Sequence, residues 1–374
     1  MTILESAYDD ADPLTNAHLY AACALVCRAW SVPAQKLLFR HVALRSGPAC
    51  AAFALAVDPA TPRGRMLGAA VRTMRATLDP SQPYALGQRA FARAVTLCPN
   101  LDTLSLALYG RDSASAAGTG ADSGPAERPK VPASCFSERT LALLRSGPRI
   151  RALQLNNWSD DAAVLAQLLG VWPSLASLAI AGTPPQLPGS SPAPLPCTLA
   201  ELSMNFQTQP SLEFVKWLLQ NSKASLRTLE FAREPSLDML EHLAADHGAT
   251  LQSLALPTYC GHDGVAALRT CRALRELRVE NAWVPPALVN ALPGKMEHLA
   301  FGIDDTTALA PVVSAIKRSA ALKAVTVHMW RGGEQNPKVN AVKIACARLG
   351  VELRITKDVR DFRAISRAVL DASS

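Results

Sequence analysis

The chain has 374 residues, 49% of them hydrophobic and 5% aromatic, with a formal charge of +7 at neutral pH. That apolar share supports a sizeable core and excludes a chain that is disordered throughout. The positive excess is small for this length and spread along the sequence, so it reads as solubility and not as an electrostatic footprint for nucleic acid.

Other classes fall away with equal economy. The nine cysteines are odd in number and scattered, and no CxxC pair occurs. They point to reduced thiols in the cytosol or nucleus, not to a disulfide framework or a structural zinc. The start, 1–13, is acidic and has no basic n-region, so no signal peptide is expected. The uncharged apolar run Ala17 to Cys27 falls well short of the roughly 20 residues a membrane span requires. A soluble intracellular protein is expected.

In chain order, residues 17–30 read as a helix, and 36–44 as a turn of helix passing into a strand. An Ala-rich helix is expected over 49–57, a turn at Asp79-Pro80-Ser81-Gln82-Pro83, and a helix over 86–98. Residues 111–134 are Ser, Gly, Ala and Pro with few apolar anchors, so a disordered insertion is expected there. Further helices are expected at about 137–145, 160–169, 211–221, 236–246, 262–270, 286–291, 307–319 and 338–349. Ser159, followed by Asp160 and Asp161, and Ser211, followed by Glu213, carry the chemistry of helix N-termini. Residues 182–197 read as a Pro-rich loop in place of a helix. The segment 358–371, with Val359, Phe362, Ile365 and Val369 between arginines, reads as an amphipathic helix closing the last repeat.

Those helices alternate with one skeleton, Leu-x-x-Leu-x-Leu. It occurs at Leu101/Leu104/Leu106, Ile150/Leu153/Leu155, Leu175/Leu178/Ile180, Leu199/Leu202/Met204 and Leu226/Leu229/Phe231. It continues at Leu251/Leu254/Leu256, Leu274/Leu277/Val279, Met296/Leu299/Phe301 and Leu322/Val325/Val327, with weaker copies at Val71/Met74/Ala76 and Gly350/Leu353/Ile355. From Ile150 to Leu322 the first positions are 25, 24, 27, 25, 23, 22 and 26 residues apart. A period in the twenties with this skeleton is the signature of leucine-rich repeats. The last two apolar positions share one face of a short strand, and the spacing leaves room for one helix and two turns. A single repeat cannot fold alone: three buried aliphatic chains contribute about 5–9 kcal/mol, whereas ordering ~25 residues costs on the order of 25–50. The expected fold is therefore an α/β leucine-rich-repeat solenoid over 46–374, a curved parallel sheet with helices on its convex side, preceded by a helical segment over 1–45.

That first segment carries a resemblance. The run Ala24-Leu25-Val26-Cys27-Arg28-Ala29-Trp30, then Leu37-Leu38-Phe39-Arg40-His41-Val42, resembles the second half of the F-box in fungal F-box and leucine-rich-repeat proteins. The Leu-Pro-x-Glu opening of that module is replaced by Asp12-Pro13-Leu14-Thr15. The resemblance implies a helical module that docks on the adaptor subunit of a cullin–RING ubiquitin ligase, through Leu25, Val26, Trp30, Leu37 and Phe39. Those side chains have a second reading, as a cap on the first repeat. The implied function is substrate recognition for the ligase, with a target protein held by the repeats. The alternative is a stand-alone interaction scaffold without a ligase link.

The remaining candidates concern sites. No nucleophile elbow, phosphate-binding loop or His-Glu-x-x-His is present, so neither catalysis nor a small-molecule substrate is expected. Gly118, Gly120 and Gly124 follow no strand and lack dinucleotide-binding spacing. His242, His247, Cys260 and His262 match no standard zinc spacing, so no metal or cofactor is expected. Solvent-facing strand positions, Ser105, Gln154, Ala179, Ser203, Glu230, Ala255, Arg278, Ala300 and Thr326, are small or mixed, which suits contact with a macromolecule. Just past the strands, Tyr109, Trp158, Phe206, Tyr259, Trp283 and Trp330 either fill the slot under each turn or form a rim of aromatic anchors for a partner. Arg269, Arg272, Arg275 and Arg278 recur every three residues and read as a solvated face mixed with Glu276 and Glu280, or as a site for a phosphate or an acidic degron. A GTPase-activating repeat protein is disfavoured by the basic tail (Arg354, Lys357, Arg360, Arg363, Arg367).

Overall fold

The computed structural model describes residue 4, residues 13–110, 136–159, 163–187, 193–258, 261–282, 284 and 286–364. The expected insertion at 111–134, the middle of the Pro-rich loop (188–192), Tyr259, Cys260 and Trp283 lie outside the described residues. The chain divides into two units, Met1–Thr198 and Leu199–Ser374.

The first unit opens with two helices, α1 (Pro13–Val26) and α2 (Arg28–Leu38). Continuous helix was expected over 17–30, but the chain breaks at Cys27, which is fully extended. The break lets α1 fold back on α2. Tyr20 and Cys23 then meet Ala34 and Leu37 in a small core, and the Tyr20 hydroxyl donates to the Leu4 carbonyl at 2.8 Å. Strand β1 (His41–Leu44), helices α3 (Gly47–Ala56) and α4 (Pro62–Ala70), β2 (Thr73–Leu78), α5 (Gln88–Thr96) and β3 (Thr103–Gly110) follow. After them come α6 (Glu138–Arg145), β4 (Ala152–Ser159), α7 (Val164–Leu169) and β5 (Ser177–Gly182). Helix α4 was not foreseen, because Pro-Arg-Gly-Arg hides any apolar period. Its start was nonetheless written in the sequence: Thr61 accepts from Gly64 N–H at 2.9 Å, and Pro62 occupies the first helical position.

The second unit runs β6 (Glu201–Phe206), α8 (Leu212–Leu219), β7 (Thr228–Phe231), α9 (Leu237–His247), β8 (Ser253–Leu256), α10 (Gly261–Thr270) and β9 (Glu276–Val279). It continues with α11 (Pro286–Ala291), β10 (His298–Ile303), α12 (Ala310–Arg318), β11 (Ala324–Met329), α13 (Val339–Leu349) and β12 (Glu352–Thr356), and residues 359–364 are helical. Within each unit every strand pairs in parallel with the next in chain order. The register keeps equivalent residues of successive triplets level: Leu104↔Leu153↔Leu178 in the first unit, Leu229↔Leu254↔Leu277↔Leu299↔Val325↔Leu353 in the second.

Two devices hold the stack. The carbonyl just before most strands accepts two consecutive N–H groups from the next repeat: Arg72 O receives Asp102 and Thr103, Arg227 O receives Gln252 and Ser253, Arg275 O receives Glu297 and His298. Main-chain polarity is thereby satisfied where the ladder begins. The apolar triplets of β2 to β11 are buried almost completely, each such side chain contributing about 1.5–3 kcal/mol. Ser46, Thr61, Ser137, Ser211 and Ser236 cap helices by accepting from the N–H three residues on. Ser159 does not. It ends β4 with its hydroxyl on Asn157 Oδ1 at 2.6 Å, and α7 begins later, at Val164. The expected last triplet is also shifted: Gly350, at φ +67, ends α13, and buried Val351 supplies the first apolar position instead.

The C-terminal helical segment departs most from expectation. Only its first part, residues 359–364, is described, and 365–371, with Ile365 and Val369, lie outside the described residues. Phe362 is buried against the ring of His328, centroids 5.4 Å apart, and Arg363 pairs with Glu280. Both partners lie on the face of the sheet opposite the apolar triplets. The segment therefore lies across the open face of the second unit, and the outer edge of β12 keeps Ile355 exposed.

Candidate functional site

Each unit presents an open sheet face, and the first unit adds its helical pair. The pair sorts the five residues of the F-box resemblance. Leu25 is 88% exposed, and Val26 and Trp30 are also exposed. Leu37 belongs to the small core of the pair, and Phe39 stacks on Phe53 of α3 with centroids 6.3 Å apart. Leu37 thus holds the pair together, Phe39 ties it to the first repeat, and the other three are exposed.

On the open face of β2–β5, Arg75, Ser105, Gln154 and Ala179 lie level across the four strands. Beyond them Tyr109 pairs in register with Trp158. Both are more than two-fifths exposed and point away from the triplets, so they are not the filling beneath the turns. Asn157, between them and the core, accepts from the Ser159 N–H at 3.2 Å and satisfies the turn from within. Phe206 is different. It is 3% exposed and meets Phe214 edge to face, so it belongs to the core of its repeat and not to a rim. Strand parity explains the split. Phe206 lies an even number of residues past Leu202 and Met204, whereas Tyr109 and Trp158 lie an odd number past their triplets. Tyr259 and Trp283 lie outside the described residues.

The open face of the second unit was expected to face solvent along its length. Ser203 and Glu230 are half-buried, but Ala255, Arg278, Ala300 and Thr326 are buried. Under this face runs a polar chain that sequence reading missed. Ser253 Oγ donates to Glu276 Oε2 at 2.7 Å, Glu276 Oε1 lies 2.9 Å from His298 Nδ1, and His298 Nε2 lies 2.8 Å from Thr326 Oγ1. The repeat frame held the clue, since Ser253, Glu276 and His298 are successive entries in one column, two residues past the first apolar position. Hydroxyl, imidazole and carboxyl stand in the order a hydrolase uses. Thr326 is 0% exposed and His298 1%, however, so no substrate reaches the hydroxyl in this conformation. The chain satisfies buried polar groups across four strands.

Nearer the ends of β9–β11 the face carries acidic and aromatic groups. Arg278 Nη2 pairs with Glu230 at 2.5 Å, and its Nη1 donates to the Arg363 carbonyl at 2.8 Å. Arg278 is therefore buried and paired, while Arg269, Arg272 and Arg275 are exposed and lie outside that cluster. Glu280 receives both guanidinium arms of Arg363, at 2.7 and 2.8 Å. The Trp330 indole N–H donates to the Glu280 carbonyl at 2.8 Å and its ring meets His328 edge to face. Burial pushes the His328 imidazole below its usual pKa, against the opposing pull of Glu280 and Asp358.

His242 Nε2 lies 3.9 Å from Asp246, and His247 is buried with its pKa lowered by desolvation. Among the described residues no three His, Cys, Asp or Glu side chains converge as a metal site would need. Burial pushes the Cys98 thiol up to about 12 and Cys271 to about 11, which removes them as nucleophiles. No described helix is long and apolar enough to cross a membrane. A cleft of about 150 Å3 between α11 and α12 is lined mainly by apolar groups, with Arg318 bonded to Asn290. No family model matches the chain, and no curated protein matches its sequence.

Proposed function

We propose that the chain is the target-recognition subunit of a cullin–RING ubiquitin ligase, with the α1–α2 pair as an F-box-like adaptor contact and repeats of the leucine-rich type holding a target protein. One observation carries the reading: Leu25, Val26 and Trp30 are exposed on a helical pair that already has its own core and its own seat on the first repeat. A pair serving only as a cap would turn its large apolar side chains inward. Exposed apolar clusters on folded domains mark interaction sites, and Trp is prominent among the residues that dominate binding energy.

The open face of β2–β5 carries Tyr109 and Trp158 and, in the level row Arg75, Ser105, Gln154 and Ala179, a single charge, which supports a protein target over a charged polymer. No covalent step takes place on this chain. It raises the effective concentration of target at the ligase by holding both. The cytosol and nucleus, where such ligases and reduced thiols coexist, are its compartments.

Capture of the adaptor subunit by the full chain, beside Trp30→Ala and Leu25→Ala, tests the proposal. Capture by the parent and loss in both variants is expected. An intact, folded parent that fails to capture the adaptor removes the ligase link and leaves a stand-alone repeat scaffold.

A further inference from the structure

The second unit binds a piece of its own chain in the manner of a peptide ligand. Phe362 enters fully, against His328, whose ring also meets Trp330. The next residue, Arg363, is held at two points. Its guanidinium makes a two-armed bond to Glu280, and its main-chain carbonyl accepts from Arg278. Arg278 is itself oriented by Glu230, its side chain nearly buried. Side-chain shape, side-chain charge and main-chain position of one dipeptide are thus read together, by residues from β7, β9 and β11 and the turns after them. Two-armed arginine–carboxylate pairing adds geometric specificity that a lysine cannot reproduce.

The tie to the body is short. Lys357 pairs with Glu334, and the segment turns at Asp358, whose Oδ1 accepts from Arg360 N–H at 2.7 Å while its carbonyl accepts from Phe362 N–H at 3.0 Å. A segment tethered this closely occupies its seat as though present at about millimolar concentration. It can give way to an untethered ligand of the same chemistry and higher intrinsic affinity.

We propose that this face is a docking site for an aromatic–arginine segment of a partner protein, and that Phe362-Arg363 occupies the site in cis until such a segment displaces it. The site would be the target-reading surface of the repeats, so the inference rests on the reading of this chain as a target-binding protein. It does not depend on the adaptor contact. Loss of adaptor capture leaves it standing, and its own failure leaves adaptor capture untouched.

The probe is a fluorescein-labelled peptide with the sequence of residues 356–366, followed by anisotropy on the full chain. The Phe362→Ala/Arg363→Ala chain is expected to bind it at least tenfold more tightly than the parent. Glu280→Gln in the opened chain, or Ala in place of Phe in the peptide, is expected to abolish that gain. Equal binding to parent and opened chains, or none to an opened chain that melts cooperatively, overturns the proposal. Hydrogen exchange on the parent keeps the test sound should the opened chain fold poorly. Excess peptide should speed exchange of residues 359–364 without affecting β3 and β4, and unchanged exchange at saturating peptide also overturns it. A dimer of the parent that vanishes in the opened chain would instead assign the site to the tail of a second copy, and so overturn the partner assignment.

Discussion

The indole N–H of Trp330 reaches across β10 to donate to the main-chain carbonyl of Glu280, and it passes over Gly302. A side chain at 302 would set its first carbon 2.2 Å from that carbonyl oxygen and 2.6 Å from the indole nitrogen. Gly302→Ala is therefore expected to expel the indole, red-shift the Trp330 component of fluorescence and cost about 1–3 kcal/mol. Urea melts, with Trp330→Phe identifying the emission, check both effects. Unaltered emission would mean that the indole is not seated there in solution.

The buried His328 gives the second unit a pH response. Its pKa is lowered chiefly by desolvation, and its Nδ1 has no hydrogen-bond partner. A depressed imidazole favours the fold while neutral, so its contribution is complete above the ordinary value of about 6.5 and is lost as pH falls through the lower folded value. Glu280, Asp358 and Arg363 face it, and the two carboxylates blunt the effect. Exchange of residues 359–364 should quicken as pH falls below 6.5, after correction for intrinsic exchange. Because His247 is depressed too, the parent is compared with His328→Leu, in which the acid-side loss of stability should shrink.

The Ser253–Glu276–His298–Thr326 chain is sealed, so breaking it is costly. His298→Ala strands a buried carboxyl group and is expected to cost roughly 3–5 kcal/mol. Thr326→Val removes one hydroxyl from His298 Nε2 and should cost roughly 1–3. The double variant should fall short of the sum, because both changes disable one network. Chemical denaturation measures all three, and additive losses would show that the four groups do not act together.

The helical pair should separate stability from binding. Leu37→Ala empties part of its small core and is expected to cost about 2–5 kcal/mol. Leu25→Ala and Trp30→Ala lie on the exposed side and should shift stability by no more than ~0.5, while abolishing adaptor capture. Thermal melts beside capture of the adaptor distinguish the two groups, and a large loss of stability in Trp30→Ala would favour a capping role.

Much of the frame was legible because it depends on local periods. An aliphatic triplet with spacings of three and two fixes which strand face is buried, and repetition near 25 residues fixes parallel neighbours without any knowledge of distant contacts. Ser211 was readable as a cap because its partner is three residues away. The local pattern at Ser159 did not announce that its hydroxyl donates to Asn157 Oδ1. The same parity rule could have separated Phe206 from Tyr109 and Trp158, and the column two residues past each first apolar position could have paired Glu276 with His298.

Tertiary structure alone decided what covers what. An amphipathic tail announces that Phe362 will be buried, but periodicity carries no information about the surface that buries it. That surface is set by Glu280, Arg278 and His328, some 34 to 85 residues away along the chain, as the Phe362–His328 and Arg278–Arg363 contacts record. For the same reason, positions with identical spacing, Gln154 and Ala300, end exposed in one unit and buried in the other. The strand pattern dictates which face a residue joins, and only long-range contact dictates whether that face meets water.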